Sequence, residues 1–558
     1  MTKFANLTVF LALLFAVAAC GGGGGGDTTC NQGQSCTSST LCRSGAISCS
    51  SGAPVCVDSG NAPDGSPCGT GGTCQAGTCQ RTVSGKFQAI HWTDDGTKTI
   101  TTGTPSLGAG LADPPAVPTA LLIPDASAAG YTMSPLTLDA DQSFAVAGVP
   151  TGSYFLELNA TTTPLVRCGQ ELKLVPMQIL NLFELTANAP DLAYVTSTRP
   201  DAIVPQTPPT VTFDISNLDP WVRGDSIFAS SSQAQSTQQI LPSPLPGETS
   251  VAAMFTWIGE LPDASKGDTV YVYHRHLTSI GTGPTAGFFT SATKSLKLTN
   301  LTVSTTAPNS ATVALQSTPQ TGAFATAIRN SQAASLAADI NPTATLSDFA
   351  VIVAATPHSL SFPDMPLMDF TNVFSLHGTS NADVDYGTIQ YGQFFDAVWK
   401  EELRVIWTYN VSPTNSGELS AVFTSNLPMP PPGGAIAPVI GPPKSPRING
   451  ADAFALHTGV GSQPTISWSV PSFGTATSYV LDVIAADPCA LVGEIAGFSA
   501  VIRSGTSFKV PPGILKPGVG YQVTITARQA SWDTADAGPF RTGTTRHSAQ
   551  CVPADFIP

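Results

Sequence analysis

The chain has 558 residues, enough for three or four domains, and only 11% of them are charged. Its 51 glycines and 47 prolines disfavour a mainly helical fold, because both residue types break helices. The net charge of −14 argues against a nucleic-acid partner, since binding to phosphates requires clustered lysine and arginine. We therefore expect a mainly β fold, with tandem β-sandwich domains behind a small disulfide-rich N-terminal segment.

Residues 1–19 have the features of a secretory signal peptide, with a lysine before an apolar run from Leu7 to Val17. This run is too short to span a bilayer comfortably. The motif VAAC that ends at Cys20 resembles the bacterial lipobox, in which the cysteine is diacylated and becomes the new N-terminus. The resemblance implies lipidation of Cys20 and a glycine tether over residues 20–29. Ordinary secretion with an incidental cysteine is the alternative.

The residue after Cys20 is Gly21 rather than aspartate. By resemblance to the sorting rules of enteric bacteria, this implies a lipoprotein of the outer membrane or cell surface. Its expected partner is the membrane, through the lipid at Cys20. No other stretch reaches about 18 apolar residues, so we expect no second membrane anchor.

Residues 30–80 contain four large aliphatic side chains and no aromatic residue between the first and last cysteine, so this segment needs covalent cross-links. In an exported chain, eight cysteines predict four disulfides, with 105 possible connectivities. Zinc is the alternative, although the segment has no histidine and no CxxC pair. The run DGSPCGTGGTCQAGTCQ resembles the Cys-rich units of myxobacterial surface lipoproteins. The disulfide candidates are Cys30, Cys36, Cys42, Cys49, Cys56, Cys68, Cys74 and Cys79.

Residues 81–195 contain the stretch LDADQSFAVAGVPTGSYFLEL, which resembles the typical ending of carboxypeptidase regulatory-like domains. The resemblance implies a small β-sandwich that serves as a structural module. Gln142 departs from the family, which has a glycine in this tight turn. Asp139 and Asp141 suggest either a solvated turn or calcium, and we favour the turn because further ligands are missing. The matching positions are Asp139, Asp141, Phe144, Gly148, Val149, Pro150, Gly152, Tyr154 and Leu156.

Residues 196–425 form a central β-rich region whose length fits two sandwiches. Segments rich in β-branched and aromatic residues predict strands. One helix is predicted over 324–340, because large apolar residues recur there at multiples of four. The predicted strands are 210–215, 268–277, 311–316, 348–355 and 403–411.

Residues 426–450 are rich in proline and glycine and predict a linker. Residues 451–558 resemble a fibronectin type III domain, with Trp468 at the core position of its second strand. Leu515, Pro517 and Tyr521 match the family's tyrosine corner, LxPxxxY. Cys489 and Cys551 depart from the family and are expected to pair. Cys168, in the earlier 81–195 region, is then left without an assigned partner.

No common catalytic motif occurs in the sequence, so we predict neither an enzyme nor a cofactor. His274 and His276 share one face of a predicted strand, a geometry that suits a metal. No carboxylate or third histidine follows at a useful spacing, so we predict an exposed strand face and no metal site. Ser291 and Lys294 match the SxxK pattern, which requires a helix and companion motifs that are missing.

Arg223-Gly224-Asp225 matches the integrin-binding tripeptide, which we interpret as an accidental turn. Four acidic residues suggest the paired carboxylates of a glycoside hydrolase, although solvated loops are the ordinary expectation. They are Asp383, Asp385, Glu401 and Glu402.

The sequence thus predicts a non-enzymatic lipoprotein that presents β-sandwich modules for binding, adhesion or surface assembly, with a carbohydrate or protein ligand left open. One alternative is a polysaccharide hydrolase whose catalytic domain lies in residues 200–430. The other is a passive structural or secretion accessory protein.

Overall fold

A computed structural model describes residues 31–558 with internal gaps, and the chain divides after Arg81 into two compact units. The described residues form 39 strands, and a short 3₁₀ helix spans Ala264–Lys266, which confirms the predicted β class. None of their helices is long and apolar enough to cross a membrane. The internal gaps are 52, 69–71, 93–97, 103–116, 126–129, 151, 163–164, 169–170, 175–176, 186–191, 197–204, 206, 232–235, 241–243, 281–286, 320–323, 327–339, 344, 358–364, 374–381, 385–386, 388, 390–394, 413–414, 429–438, 488–490, 492–493, 504 and 531–545.

The N-terminal unit is built around sulfur. Its buried core consists of four half-cystines, Cys42, Cys68, Cys74 and Cys79. Three disulfides join Cys36 to Cys56, Cys42 to Cys74 and Cys68 to Cys79. Cys49 is also disulfide-bonded, and Cys30 lies outside the described residues. The predicted disulfides are confirmed at the described cysteines of this unit, and sulfurs bonded in this way are not zinc-binding thiolates. The strands are β1 (Ser35–Thr37), β2 (Arg43–Ser48), β3 (Val55–Asn61), β4 (Pro67–Cys68) and β5 (Gly72–Gln75).

The second unit begins with a β-sandwich, which we call the first sandwich. Strands β6, β7, β10 and β15 form one sheet, and β8, β9, β11 and β14 belong to the other. Alternate residues of these strands point inward, and Phe87, Phe144, Tyr154 and Leu156 are buried in the shared core. The strands are β6 (Thr78–Trp92), β7 (Lys98–Thr102), β8 (Val117–Pro124), β9 (Tyr131–Pro135), β10 (Ser143–Pro150), β11 (Tyr154–Thr162), β12 (Leu165–Cys168), β13 (Glu171–Leu174), β14 (Met177–Leu185) and β15 (Leu192–Thr196).

The turn before β10 forms even though it lacks the family's glycine. Gln142 adopts the left-handed conformation with φ of 62°, and its N–H donates to the carbonyl of Asp139 at 2.9 Å. Asp141 accepts hydrogen bonds from the side chain and N–H of Ser143, and Lys86 Nζ lies 3.1 Å from its Oδ2. These contacts, the Ser143 hydroxyl first, lower the pKa of Asp141 to about 2. The Asp141 carboxylate is thus bound by residues of its own turn and by Lys86, which agrees with the predicted role in a turn.

The next sandwich, which we call the central sandwich, packs a three-stranded sheet (β16, β19 and β22) against β17, β18, β20 and β21. Its core contains Phe213 from the first sheet, Val272 from the second, and Trp257, which has no exposed surface. The predicted strands 210–215, 268–277 and 311–316 are confirmed here within a few residues. The strands are β16 (Thr210–Ser216), β17 (Ser226–Ser231), β18 (Ser236–Gln239), β19 (Val251–Thr256), β20 (Val270–Ile280), β21 (Gly287–Leu298), β22 (Asn309–Ala314) and β23 (Gln316–Ser317).

Residues 324–428 add long antiparallel strands, and the predicted helix is wrong at its start. Phe324 lies in β24 and is paired with Val384 of β27. Apolar residues spaced by multiples of four also share one face of a strand, so the spacing did not discriminate. Residues 327–339 of that prediction lie outside the described chain, and its last residue, Ile340, is helical as predicted. The strands are β24 (Phe324–Thr326), β25 (Thr345–Pro357), β26 (Met365–Val373), β27 (Ala382–Val384), β28 (Phe395–Ser412) and β29 (Asn415–Pro428).

The last sandwich has the tyrosine corner that the fibronectin-like sequence predicts. Tyr521 is fully buried, and its Oη accepts a hydrogen bond from the N–H of Lys516 at 3.0 Å. Trp468 packs edge-on against Tyr479, with ring centroids 5.3 Å apart. Ile440, from the predicted linker, is also buried in this core. The strands are β30 (Lys444–Ile448), β31 (Ala451–Asp452), β32 (His457–Thr458), β33 (Thr465–Ser469), β34 (Ser478–Ala485), β35 (Ile495–Ile502), β36 (Ser507–Lys509), β37 (Tyr521–Ala530), β38 (Arg546–Cys551) and β39 (Phe556–Ile557).

The first and last sandwiches are packed together. β14 pairs with β35 in parallel, from Gln178 opposite Ile495 onward. Tyr131 Oη donates to the carbonyl of Lys509 at 2.7 Å. The second unit therefore spans the domain boundaries predicted at residues 196, 426 and 451, which stay predictions.

The buried carboxyl of Asp555 predicts a pH-dependent stability. It is 2% exposed, neither oxygen has a hydrogen-bond partner among the described residues, and burial raises its pKa to about 6. Because the folded chain holds this proton more tightly than the unfolded chain, stability is expected to fall as pH rises from about 4 to about 6, by about 2 to 3 kcal/mol. Asp555→Asn should remove this loss. Urea unfolding at pH 4 and pH 7.5 tests it, and an equal difference between the two proteins at both pH values would contradict it.

Candidate functional site

A tight turn of the central sandwich brings a carboxylate against two histidines. The turn closes between β16 and β17, where the N–H of Asp225 donates to the carbonyl of Val222 at 3.1 Å. Gly224 has φ of +113°, and a Cβ there would lie 3.1 Å from Leu277 Cδ2. The glycine therefore both permits the turn and lets it approach β20 closely.

The register of β17 against β20 places the cluster. Ile227 is opposite His274 and Ser226 is opposite Arg275, so Asp225, the residue just before β17, comes beside His276 at the end of this ladder. Asp225 Oδ2 lies 3.1 Å from His274 Nε2 and 3.0 Å from His276 Nδ1. Its Oδ1 accepts the N–H of Leu277 at 2.7 Å. We call Asp225, His274 and His276 the His–Asp–His cluster.

Oδ2 of Asp225 is crowded with donors. Besides the two imidazoles, it accepts the N–H of Val222 at 3.0 Å. A carboxylate oxygen has about two lone-pair positions, so three donors exceed the number it accommodates well. Burial by itself raises the pKa of Asp225, but the hydrogen bonds together outweigh burial and the pKa is lowered. The carboxylate is therefore held ionised in a buried position.

Further contacts surround His274, which is completely buried. The indole of Trp221 stacks on its ring with centroids 5.5 Å apart. Its Nδ1 has no hydrogen-bond partner among the described residues and lies 3.9 Å from Asp219 Oδ2. Asp219 is itself held by the hydroxyl of Thr293 and by Lys294 Nζ at 3.6 Å. His274 thus has one carboxylate on each side of its ring.

This geometry corrects two sequence interpretations. The two histidines do not lie on an exposed strand face, because His274 has no exposed surface and the His276 side chain is 26% exposed. Asp225 is buried as well, so the Arg-Gly-Asp tripeptide does not display its carboxylate. The sequence did not predict this carboxylate, because further ligands were expected at positions that follow the histidines. Asp225 instead precedes His274 by 49 residues.

The other catalytic candidates lie on strands wherever the structure describes them. Ser291 and Lys294 lie in strand β21, not in the helix that the SxxK pattern requires. Asp383 lies in β27, and Glu401 and Glu402 lie in β28, so these carboxylates are on strands and not on the predicted loops. Asp385 is outside the described residues.

Of the two cysteines predicted to pair in the last sandwich, Cys551 is buried in β38 and Cys489 lies outside the described residues. Cys168 ends strand β12, and its side chain is not described. The disulfide between Cys489 and Cys551 stays a prediction. The same holds for the signal peptide, Cys20 and the glycine tether, which precede residue 31.

No family model matches this chain, and no curated protein matches it either. Among solved structures, the crystal structure of domains FN1–FN3 of chicken CNTN1 is similar at 10% identity and a TM-score of 0.12. The aligned region covers 61% of this chain and 90% of that one. So low a TM-score supports no argument about this chain, whose fold class rests on its own strands and cores.

Proposed function

We propose that this protein is a lipid-anchored protein of the outer membrane or cell surface that presents a rigid β-sandwich body for binding, adhesion or surface assembly. The observation that carries the proposal is the succession of sandwich cores behind a disulfide head. Disulfides persist in oxidising compartments, which is where an exported surface protein is found.

The first and last sandwiches pack against each other, which supports a body that presents its surface rigidly and not a set of sandwiches that move independently. Parallel pairing of β14 with β35 joins the first and last sandwiches by backbone hydrogen bonds. Phe155 and Phe508 also pack across this contact, with centroids 5.3 Å apart. A body braced in this way holds its surface loops in fixed positions, as binding modules require. The ligand it binds is of carbohydrate or protein class.

The anchor is tested by palmitate labelling of cells that produce the full-length protein. We expect Cys20→Ser to abolish the label and to move the protein from the membrane fraction to the soluble fraction, because a thioether-linked lipid requires the sulfur. Cys30→Ser is the matched control, since it removes a nearby cysteine of the disulfide head and should keep the label. Equal labelling of the wild type and Cys20→Ser would refute the anchor.

Surface presentation is tested separately, by adding protease to intact cells. We expect the protein to be cleaved without lysis. Protection until the cells are lysed would contradict presentation at the cell surface while leaving the anchor intact.

A further inference from the structure

The His–Asp–His cluster has the donor set of a transition-metal site. Two imidazoles and one carboxylate are ligands that Zn²⁺ and neighbouring divalent ions prefer. One ligand atom from each residue lies within 4.8 Å of the other two. The carboxylate oxygen is 3.0 and 3.1 Å from the two nitrogens, within a few tenths of an ångström of the separation of about 3.3 Å expected around a tetrahedral zinc ion.

The proton positions available to the cluster suit a bound ion. If neutral His274 donates from Nε2 to Asp225, its Nδ1 is a bare acceptor that faces the carboxylate of Asp219 at 3.9 Å. If Nε2 binds a metal, the ring proton moves to Nδ1 and points toward that carboxylate. A ligating histidine that donates its other N–H to a carboxylate is the usual arrangement at protein metal sites.

A metal ion also relieves the crowding on Asp225. Oδ2 would exchange two imidazole donors for one ion and keep the N–H of Val222, while Oδ1 keeps the N–H of Leu277. The site is open on one side, since the His276 side chain is 26% exposed while those of Asp225 and His274 are fully buried. Water or a ligand group would complete the coordination from that side.

We infer that Asp225, His274 and His276 bind one divalent transition-metal ion of the Zn²⁺ class, with Asp219 as the outer partner that positions His274. The site lies at one end of the central sandwich and is independent of the proposed lipid anchor. It has three protein ligands and an open position. A carboxylate or hydroxyl group of a binding partner would complete the coordination in the same way as water.

Zinc binding is tested by calorimetry on the EDTA-stripped full-length protein, with Zn²⁺ alone as the titrant. We expect one ion per chain and a higher melting temperature, because an ion that binds only the folded chain stabilises it. Co²⁺ in place of Zn²⁺ should give visible absorption bands of a four- or five-coordinate ion. Absence of binding heat and of a melting shift would overturn the inference.

The decisive variant is His276→Asn, because its amide N–H can replace the hydrogen bond to Asp225 but is a poor metal ligand. We expect at least a hundredfold loss of Zn²⁺ affinity with an unchanged melting temperature of the metal-free protein. Asp219→Asn should weaken binding by ten- to a hundredfold. The control is His457→Ala, which removes a histidine on β32 and should leave the Zn²⁺ affinity unchanged. Undiminished Zn²⁺ binding by His276→Asn would place the ion elsewhere and overturn the assignment.

Discussion

Asp225→Ala is expected to destabilise the central sandwich by about 3 to 5 kcal/mol in metal-free protein, because it leaves several buried donors without an acceptor. The N–H groups of Val222 and Leu277 lose their partner, and so does the ring N–H of His274. Urea unfolding followed by tryptophan fluorescence measures the loss, since Trp221 and Trp257 both lie in this sandwich.

The matched control is Asp214→Ala, which removes the same charge from an exposed position on β16 of the same sandwich. We expect its effect to stay within about 0.5 kcal/mol, as for most surface substitutions. A similar loss in both variants would show that the net charge matters and that the buried contacts of Asp225 do not.

Removing the disulfide between Cys42 and Cys74 by a double serine substitution is expected to unfold the head. The two cysteines are separated by 32 residues, and the loss of this constraint costs about 4 kcal/mol on the chain-entropy model. Both half-cystines are also buried in the core, where serine hydroxyls would lack partners. Limited trypsin digestion of the full-length protein measures the result as faster cleavage after Arg43.

The disulfide between Cys36 and Cys56 is the internal comparison. It spans 20 residues, so chain entropy alone makes its loss only about 0.4 kcal/mol smaller. It lies outside the buried sulfur core, however, so we expect its double serine variant to be cleaved clearly more slowly than the core variant. Equal rates for the two variants would mean that burial of the sulfurs adds nothing.

Local patterns predicted local structure well. The β-branched and aromatic residues of 210–215 predicted β16, and the LxPxxxY pattern predicted the corner at Tyr521, because each depends on neighbours within a few residues. The cysteine count in the head predicted its disulfides, although not which cysteines pair. The spacing over 324–340 was wrong at Phe324, because a period of four fits both a helix face and a strand face, whereas Ile340 at its other end is helical.

Local sequence patterns could not predict the candidate site, for a physical reason. Its carboxylate comes from a turn and its imidazoles from a strand, and only the pairing of β17 with β20 brings them together. The partner of β14 is likewise remote, since β35 follows about 300 residues later. Contacts of this kind are set by packing of distant segments, which a single sequence does not display.

The pairing of β14 with β35 also fixes an order of events during synthesis. A ribosome delivers β14 long before β35, so the first sandwich carries a bare row of N–H and C=O groups on one edge until then. Such an edge is a template for another chain. Chains that fold side by side before β35 is in place would risk pairing with each other at Met177–Leu185, and a chain cut short before Ile495 would keep that unpaired edge permanently.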